Sequence, residues 1–288
     1  MIHKAVIPAA GFGTRFLPAS KSSPKEMLPI VDKPVIQYVV EEAVASGVTD
    51  IIMVIGKGKR AIEEHFDRNF ELERELEAKE KMQELEDIKK ISTLADIHFV
   101  WQRELLGLGD AIYCARHHIG NEPFVVLLGD TVLESPEPVT KQLITAFDRY
   151  QESIVALEEV DRDKVSRYGV IDGKNISDNI YLINDLVEKP SVDEAPSNLV
   201  IAGRYALTPE IFDVIGTTER GVNNEIQLTD AMRDLVVNRA MYGLHFDGIR
   251  HDIGNKLDFI KTNMLFGLQQ EELREDLTQF IKQQMEKL

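Results

Sequence analysis

The stretch that most constrains this chain lies near its N-terminus. It reads Lys4-Ala5-Val6-Ile7-Pro8-Ala9-Ala10-Gly11-Phe12-Gly13-Thr14-Arg15, followed by Pro24-Lys25-Glu26-Met27-Leu28-Pro29. The short apolar run Ala5 to Ile7 predicts a buried strand. It gives way to small residues and two glycines. A backbone with so little bulk can wrap close to a ligand and turn its N–H groups inward as an anion-binding nest. Arg15 adds a fixed cation with forked donors, and Lys25 follows on a proline-bounded segment able to curl back over the same space. A strand, a glycine loop and two cations suit a nucleoside triphosphate. Three plainer patterns compete. The third glycine of a dinucleotide-binding turn is absent, as is the Gly-Lys-Ser/Thr of a P-loop, and glycines alone also serve a tight turn. On the loop alone, turn and phosphate site stand level; Arg15 and Pro24-Lys25-Glu26 tip the reading towards phosphate.

Length and charge narrow the field. A chain of 288 residues can bury a large core. No apolar run approaches membrane-spanning length, and the N-terminus enters a strand without the regions of a signal peptide. Cys114 is the only cysteine, so no intrachain disulfide can form, and a cytoplasmic location is the default expectation. The net charge of −16 argues against nucleic-acid binding. Residues 1–33 nevertheless carry five cations against two carboxylates, which suggests a confined site for small anions.

Further along, Pro34 opens an amphipathic helix over Val35 to Ser46, with Gly47 at its end. Ile51 to Ile55 reads as a second strand. Lys57-Gly58-Lys59-Arg60 is either a phosphate contact or, preferably, a solvated turn. Residues 63–91 predict one charge-rich helical stretch in which Leu72, Leu76, Leu85 and Ile88 form a partial apolar stripe. Ile97 to Trp101 and Phe124 to Leu128 complete four strands alternating with helices. Helices over 139–150, 255–267 and 269–287 and a strand over 154–157 follow. This spacing predicts an α/β fold with a doubly wound, mostly parallel sheet. Ligands in such sheets lie beyond the carboxyl ends of the strands, where the glycine loop, Gln102 and Asp130 all fall. The runs 168–171, 180–188 and 199–207 suggest a more antiparallel region. No linker, repeat or low-complexity tract interrupts the chain, so one domain over 1–288 is expected. The C-terminal helix either docks on its own subunit or makes oligomer contacts.

The Ala-Ala-Gly-x-Gly-Thr-Arg and Pro-Lys-Glu-Met-Leu-Pro motifs resemble those of the sugar nucleotidyltransferases, and the later motifs resemble their uridylyltransferase branch. The resemblance spans nearly the whole chain. It implies a Rossmann-like fold with antiparallel strands over a sugar site. It also implies attack by a sugar 1-phosphate on the α-phosphorus of a nucleoside triphosphate. Substrate phosphate is then the nucleophile, which fits the lack of a catalytic triad. Cys114 reads as an inert thiol, and His117-His118 are adjacent, a poor metal pair.

By the same resemblance, Ala10, Gly11, Gly13 and Thr14 wrap the triphosphate of UTP, and Arg15, Lys25 and Lys189 act on phosphates. Gln102, Gly107 and Gly109 match the base and ribose region; a Gln amide offers both a donor and an acceptor, and glycines let the base sit close. Gly169, Glu188 and Gly203 match the glucose 1-phosphate side. Adjacent Glu188 and Lys189 would point to opposite faces unless the strand end twists. Asp130 in Leu-Leu-Gly-Asp and Asp252 in His-Asp-Ile-Gly-Asn-Lys match ligands for Mg²⁺, a hard cation that favours carboxylates, phosphate and water. The implied product is UDP-glucose, and a homo-oligomer, first of all a dimer, is the expected assembly. A thymidylyltransferase, a uridylyltransferase for another hexose 1-phosphate, and a weakly catalytic sugar-nucleotide sensor are the alternatives. Trp101, Asp110, Thr131 and Asn223-Asn224 depart from the residues frequent in the family, where Arg, His, Asp and a glycine pair are common.

Overall fold

The computed structural model describes residues 2–287, so the outermost residue at each end of the expected 1–288 domain lies outside the described residues. The first half contains β1 (Lys4–Ala9), β2 (Pro29–Ile30), β3 (Lys33–Pro34), α1 (Val35–Ala45), β4 (Asp50–Ile55), α2 (Arg60–Phe66), α3 (Phe70–Ala78), α4 (Met82–Ile91), β5 (Asp96–Trp101), α5 (Leu108–Cys114), α6 (Arg116–Ile119), β6 (Phe124–Leu127), β7 (Thr131–Glu134) and α7 (Val139–Tyr150). The second contains β8 (Ile154–Glu159), β9 (Gly169–Ser177), β10 (Ile180–Glu188), β11 (Leu199–Leu207), α8 (Ile211–Ile215), α9 (Leu228–Val236), β12 (Tyr242–His245), β13 (Ile249–Asp252), α10 (Lys256–Gln269) and α11 (Glu271–Met285).

Nine strands form one sheet in the order β5-β4-β1-β6-β11-β8-β12-β10-β9. From β5 to β6 it is parallel. Then β11 inserts antiparallel to both β6 and β8, and β10 pairs antiparallel with β9 and β12. The sheet is therefore mixed, which corrects the expectation of a mostly parallel one. The antiparallel strands continue the same sheet rather than forming a region laid over it. The physical reason is visible in β11: it is buried from Val200 to Leu207. A central antiparallel strand covered on both faces has the continuous apolar composition of a parallel one.

Side-chain alternation builds two cores. Ala5, Ile7 and Ala9 pack on one face with Ile36 and Val40 of α1 and Leu143 and Phe147 of α7. Val6, Ile52 and Val54 face Ile112, Phe212 and Met232 of α5, α8 and α9. Helices thus cover both faces of the sheet. The short β7–β13 ribbon pairs Thr131 with Asp252, which carries the chain's C-terminal third back to the end of β6.

The 63–91 stretch is not one helix. Asn69 caps α3 by accepting from the Leu72 amide, and Glu80, at φ 57°, breaks the path before α4. Leu85 is buried while Leu72 is exposed, so the apolar stripe is incomplete. At the other end, α11 packs on α10, with Leu277 close to Gly267. Among the described residues, no helix is long and apolar enough to cross a membrane.

Candidate active site

A cavity of about 680 Å³ opens beyond the carboxyl ends of β1, β5 and β6. Ala10, Gly11, Gly13, Thr14, Lys25, Gln102, Gly107, Asp130, Gly169, Glu188 and Lys189 all line it. Residues far apart in sequence thus meet in one cleft, as strand ends in an α/β sheet allow.

The glycine loop leaves β1 and turns at Gly13, φ 64°. A Cβ there would meet the Lys25 stem at 3.0–3.3 Å, whereas one at Gly11 would meet only open space. Gly13 therefore lets Lys25 lie across the loop, and Gly11 keeps the cleft clear. The Lys25 Nζ donates to Asp130 Oδ2 at 2.5 Å. Burial alone would raise the Asp130 carboxyl, but the Lys25 charge and hydrogen bond hold it below its ordinary value. Burial alone would lower the Lys25 amine, and the charges of Asp130 and Glu26 raise it instead.

Behind this pair sits a second. Lys59 Nζ donates to Glu26 Oε2 at 2.7 Å, with both side chains almost wholly buried. Burial pushes Glu26 up and Lys59 down. Lys59 is thus not part of a solvated turn, which corrects the reading of the 57–60 patch. A third buried pair, Arg204 with Glu42, holds the loop that carries Asp130. Arg204 is 0 % exposed and donates to the Thr131 carbonyl at 2.8 Å. The signal for Arg204 was present in the sequence: a charge inside the apolar run Leu199–Leu207 must find a buried partner.

At the base-side end, Gln102 is buried, and its Nε2 donates both to Asp110 Oδ2 at 2.8 Å and to the Gly107 carbonyl at 3.1 Å. Its amide thus offers the cavity an acceptor rather than the donor–acceptor pair expected. Gly107 and Gly109 owe their lack of side chains to protein rather than to a base. A Cβ at either would lie within 2.9 Å of the Ile226 carbonyl. Here Ile226 N donates to Leu106 O and Gly109 N to Ile226 O, joining the two loops. Gly109 is outside the cavity wall. Asn223 and Asn224, which replace the family's common glycines, sit at φ 60° and 59°. Asn tolerates this left-handed region better than most residues.

On the opposite side, Lys189 adopts φ 45° just after β10. That reversal overcomes the strand parity and brings its Nζ within 2.8 Å of Glu188 Oε1. Thr229 Oγ1 donates to Glu188 Oε2 at 2.6 Å, a role that nothing in the local sequence marks. A Cβ on Gly169 would lie 2.8 Å from that hydroxyl. Gly203 does not line the cavity; its open side is filled by Leu128.

Arg15 and Asp252 sit at the edge of the cleft. Tyr168, a lining residue, donates from its hydroxyl to Asp252 Oδ2 at 2.9 Å, and Arg15 donates to the Gly254 carbonyl at 3.4 Å. The Asp252 and Asp130 carboxylates approach one another beside Gly254. Its Cβ position would be 2.9 Å from Asp252 Oδ1, 3.7 Å from Asp130 Oδ2 and 3.6 Å from an Arg15 nitrogen. Both are hard carboxylate oxygens of the kind a divalent cation takes, and a cation held there would compete with the bonds they already accept, from the Gly254 amide at 2.9 Å and from Lys25. Among the described residues, no group of three or more His, Cys, Asp or Glu forms a closed metal cage.

Residues 4–267 match the family described as nucleotidyl transferase. A UTP--glucose-1-phosphate uridylyltransferase of Bacillus subtilis (strain 168) is 50% identical over 281 residues, covering 98% of this chain and 96% of the relative. A UTP--glucose-1-phosphate uridylyltransferase 2 of Staphylococcus saprophyticus is 53% identical over 283 residues, covering 98% and 97%. A solved UDP-glucose pyrophosphorylase complexed with UDP-glucose aligns with a TM-score of 0.87 at 43% identity, covering 94% of this chain and 100% of that one. A UTP-bound enzyme from Acinetobacter baumannii aligns at 0.90 and 39%, covering 98% and 99%.

Proposed function

The chain belongs to the nucleotidyl transferase family, and we propose that it makes UDP-glucose and pyrophosphate from UTP and glucose 1-phosphate. The observation that carries this reading is one cleft with a cation at each side, Lys25 by the glycine loop and Lys189 by Glu188, in a chain half identical to uridylyltransferases. Two anionic substrates need two such anchors. A phosphate oxygen of glucose 1-phosphate attacks the α-phosphorus of UTP. The new O–P bond forms as the bond to the bridging α,β-oxygen breaks, and pyrophosphate leaves. No protein nucleophile is required; the residues position two anions and meet the charge that develops.

Within this reading, Ala10, Gly11, Gly13 and Thr14 surround the triphosphate. Lys25 and Arg15 stabilise it during transfer. Gln102 accepts from the base. Glu188, braced by Thr229, binds sugar hydroxyls beside Gly169, and Lys189 holds the sugar phosphate. Asp130 and Asp252 would hold Mg²⁺, which when bound supplies positive charge against the departing pyrophosphate. The whole chain acts as one nucleotidyltransferase domain, and its single cysteine suits the cytoplasm. Exposed Leu257 and Ile260 on α10 and Phe280 and Met285 on α11 support a homo-oligomer, first of all a dimer.

A pyrophosphate-release assay over nucleoside triphosphates and sugar 1-phosphates tests the function. UTP with glucose 1-phosphate should give the highest kcat/KM. Faster turnover of dTTP or another hexose 1-phosphate would reassign the substrate, and no turnover with any pair would favour a sensor.

A further inference from the structure

We propose that Asp110 is a positioning residue for base selection, because it locks the Gln102 amide with its oxygen facing the ligand. The inference deepens the reading above and rests on it.

A Gln amide is nearly symmetric in shape, so its chemistry depends on which end is tied down. Here two acceptors, the Asp110 carboxylate and the Gly107 carbonyl, both bond to Nε2. Turning the amide over would break both bonds and aim Oε1 at a carboxylate. Oε1 itself has no partner among the described residues and is not sealed from solvent, in a side chain that lines the cavity. The cleft therefore presents a fixed acceptor. Placed opposite ring position 3 of a pyrimidine, that acceptor suits the imide N3–H of uracil. It repels cytosine, whose N3 carries a lone pair. To take CTP, the amide would have to turn over against both tethers.

Asp110 supplies the stronger tether, because a hydrogen bond to a charged group outweighs one to a neutral carbonyl. Asp110 is also in the first turn of α5, where a negative charge favours the helix. The two roles make different demands: the dipole needs charge, and the lock needs a group that accepts and cannot donate.

The experiment compares kcat/KM for UTP and CTP, each with glucose 1-phosphate, in the full chain. Asp110→Ala should cut the UTP-to-CTP ratio roughly ten- to hundredfold. Asp110→Ser, whose hydroxyl is too short to reach the amide but suits a helix start, should do the same if the alanine variant folds poorly. Asp110→Asn puts a donor as well as an acceptor beside the amide, so the Gln102 amide can turn over with Nδ2 donating to Oε1, and the ratio should fall towards that of the alanine variant. An unchanged ratio in the alanine and serine variants would overturn the proposal. So would an asparagine variant that keeps the parent ratio, since its amide can hold the Gln102 amide either way round. If the parent turns over no UTP, the failure lies with the proposed function, and the pattern among variants is not needed to see it.

Discussion

Replacing Lys59 by methionine should destabilise the protein more than any exposed charge would. Lys59 and Glu26 are 5% and 1% exposed and meet at 2.7 Å. Methionine keeps the apolar stem but leaves the Glu26 carboxylate buried without its cation. Breaking such a pair costs about 3–5 kcal/mol. At a few degrees per kcal/mol for a chain of this size, Tm should fall by roughly 6–15 °C. Glu26→Gln/Lys59→Met removes both charges, and replacing a whole buried pair is often close to neutral. The double variant should therefore regain more than half of the lost stability. The pH dependence has a definite sign. Burial already pushes the Glu26 carboxyl up, and Lys59 is the largest influence opposing it. Without Lys59 it rises further, and the folded variant favours the protonated form. For a carboxyl raised in this way, stability is fully present below the unfolded pKa, declines above it, and is lost as pH rises through the folded pKa. The deficit should be smaller at pH 5.5 than at pH 8. Calorimetric melting of parent, single and double variants at both pH values measures this. A single variant within 2 °C of the parent, or a double variant as unstable as the single, would refute the reasoning.

Other expected outcomes follow from the cleft. Lys25→Ala should lower kcat about 10²–10³-fold while weakening UDP-glucose binding far less; near-normal turnover would place Lys25 outside the reaction. Lys189→Ala should raise KM for glucose 1-phosphate more than KM for UTP, and equal effects on both with a lower Tm would mark a structural role. By isothermal calorimetry, Mg²⁺ should bind weakly to the free protein and appreciably with an unreactive UTP analogue; tight binding to the free protein would contradict the two-carboxylate site.

The parts of the site nearest the backbone pattern were readable from sequence. A strand followed by Gly-x-Gly, a strand ending in Gly-Asp, and Lys189 beside Glu188 each place a functional group at a strand end. What could not be read depends on partners distant in the chain. Lys59 looks like a turn residue until Glu26 is seen beneath it. Gly107 and Gly109 look like room for a base until the Ile226 backbone occupies that room. The orientation of the Gln102 amide is fixed by Asp110, eight residues on, only because the intervening loop folds back. The mixed sheet was hidden because β11, sealed on both faces, carries no alternation to mark its direction. Lys189 reaches Glu188 through a single left-handed residue, which local composition does not announce.

In the cleft several groups are already committed to one another: Lys25 to Asp130, Lys189 to Glu188, and the Tyr168 hydroxyl to Asp252. On the proposed roles, for Lys25 and Lys189 the binding of a polyanion is an exchange of partners. Such an exchange lowers ground-state affinity but keeps each group in place, so little reorganisation remains when charge shifts during transfer. It also ties two binding events together. On those roles, a nucleotide that draws Lys25 towards its phosphates would free an Asp130 oxygen, and the affinity of the two carboxylates for a cation would rise. The same coupling must run the other way, since the free energy linking two ligands is shared equally between them. Mg²⁺ should thus tighten the binding of an unreactive UTP analogue by the same factor by which the analogue tightens Mg²⁺. In Lys25→Met, where Asp130 has no lysine to give up, that factor should shrink towards what direct contact between cation and phosphate alone supplies.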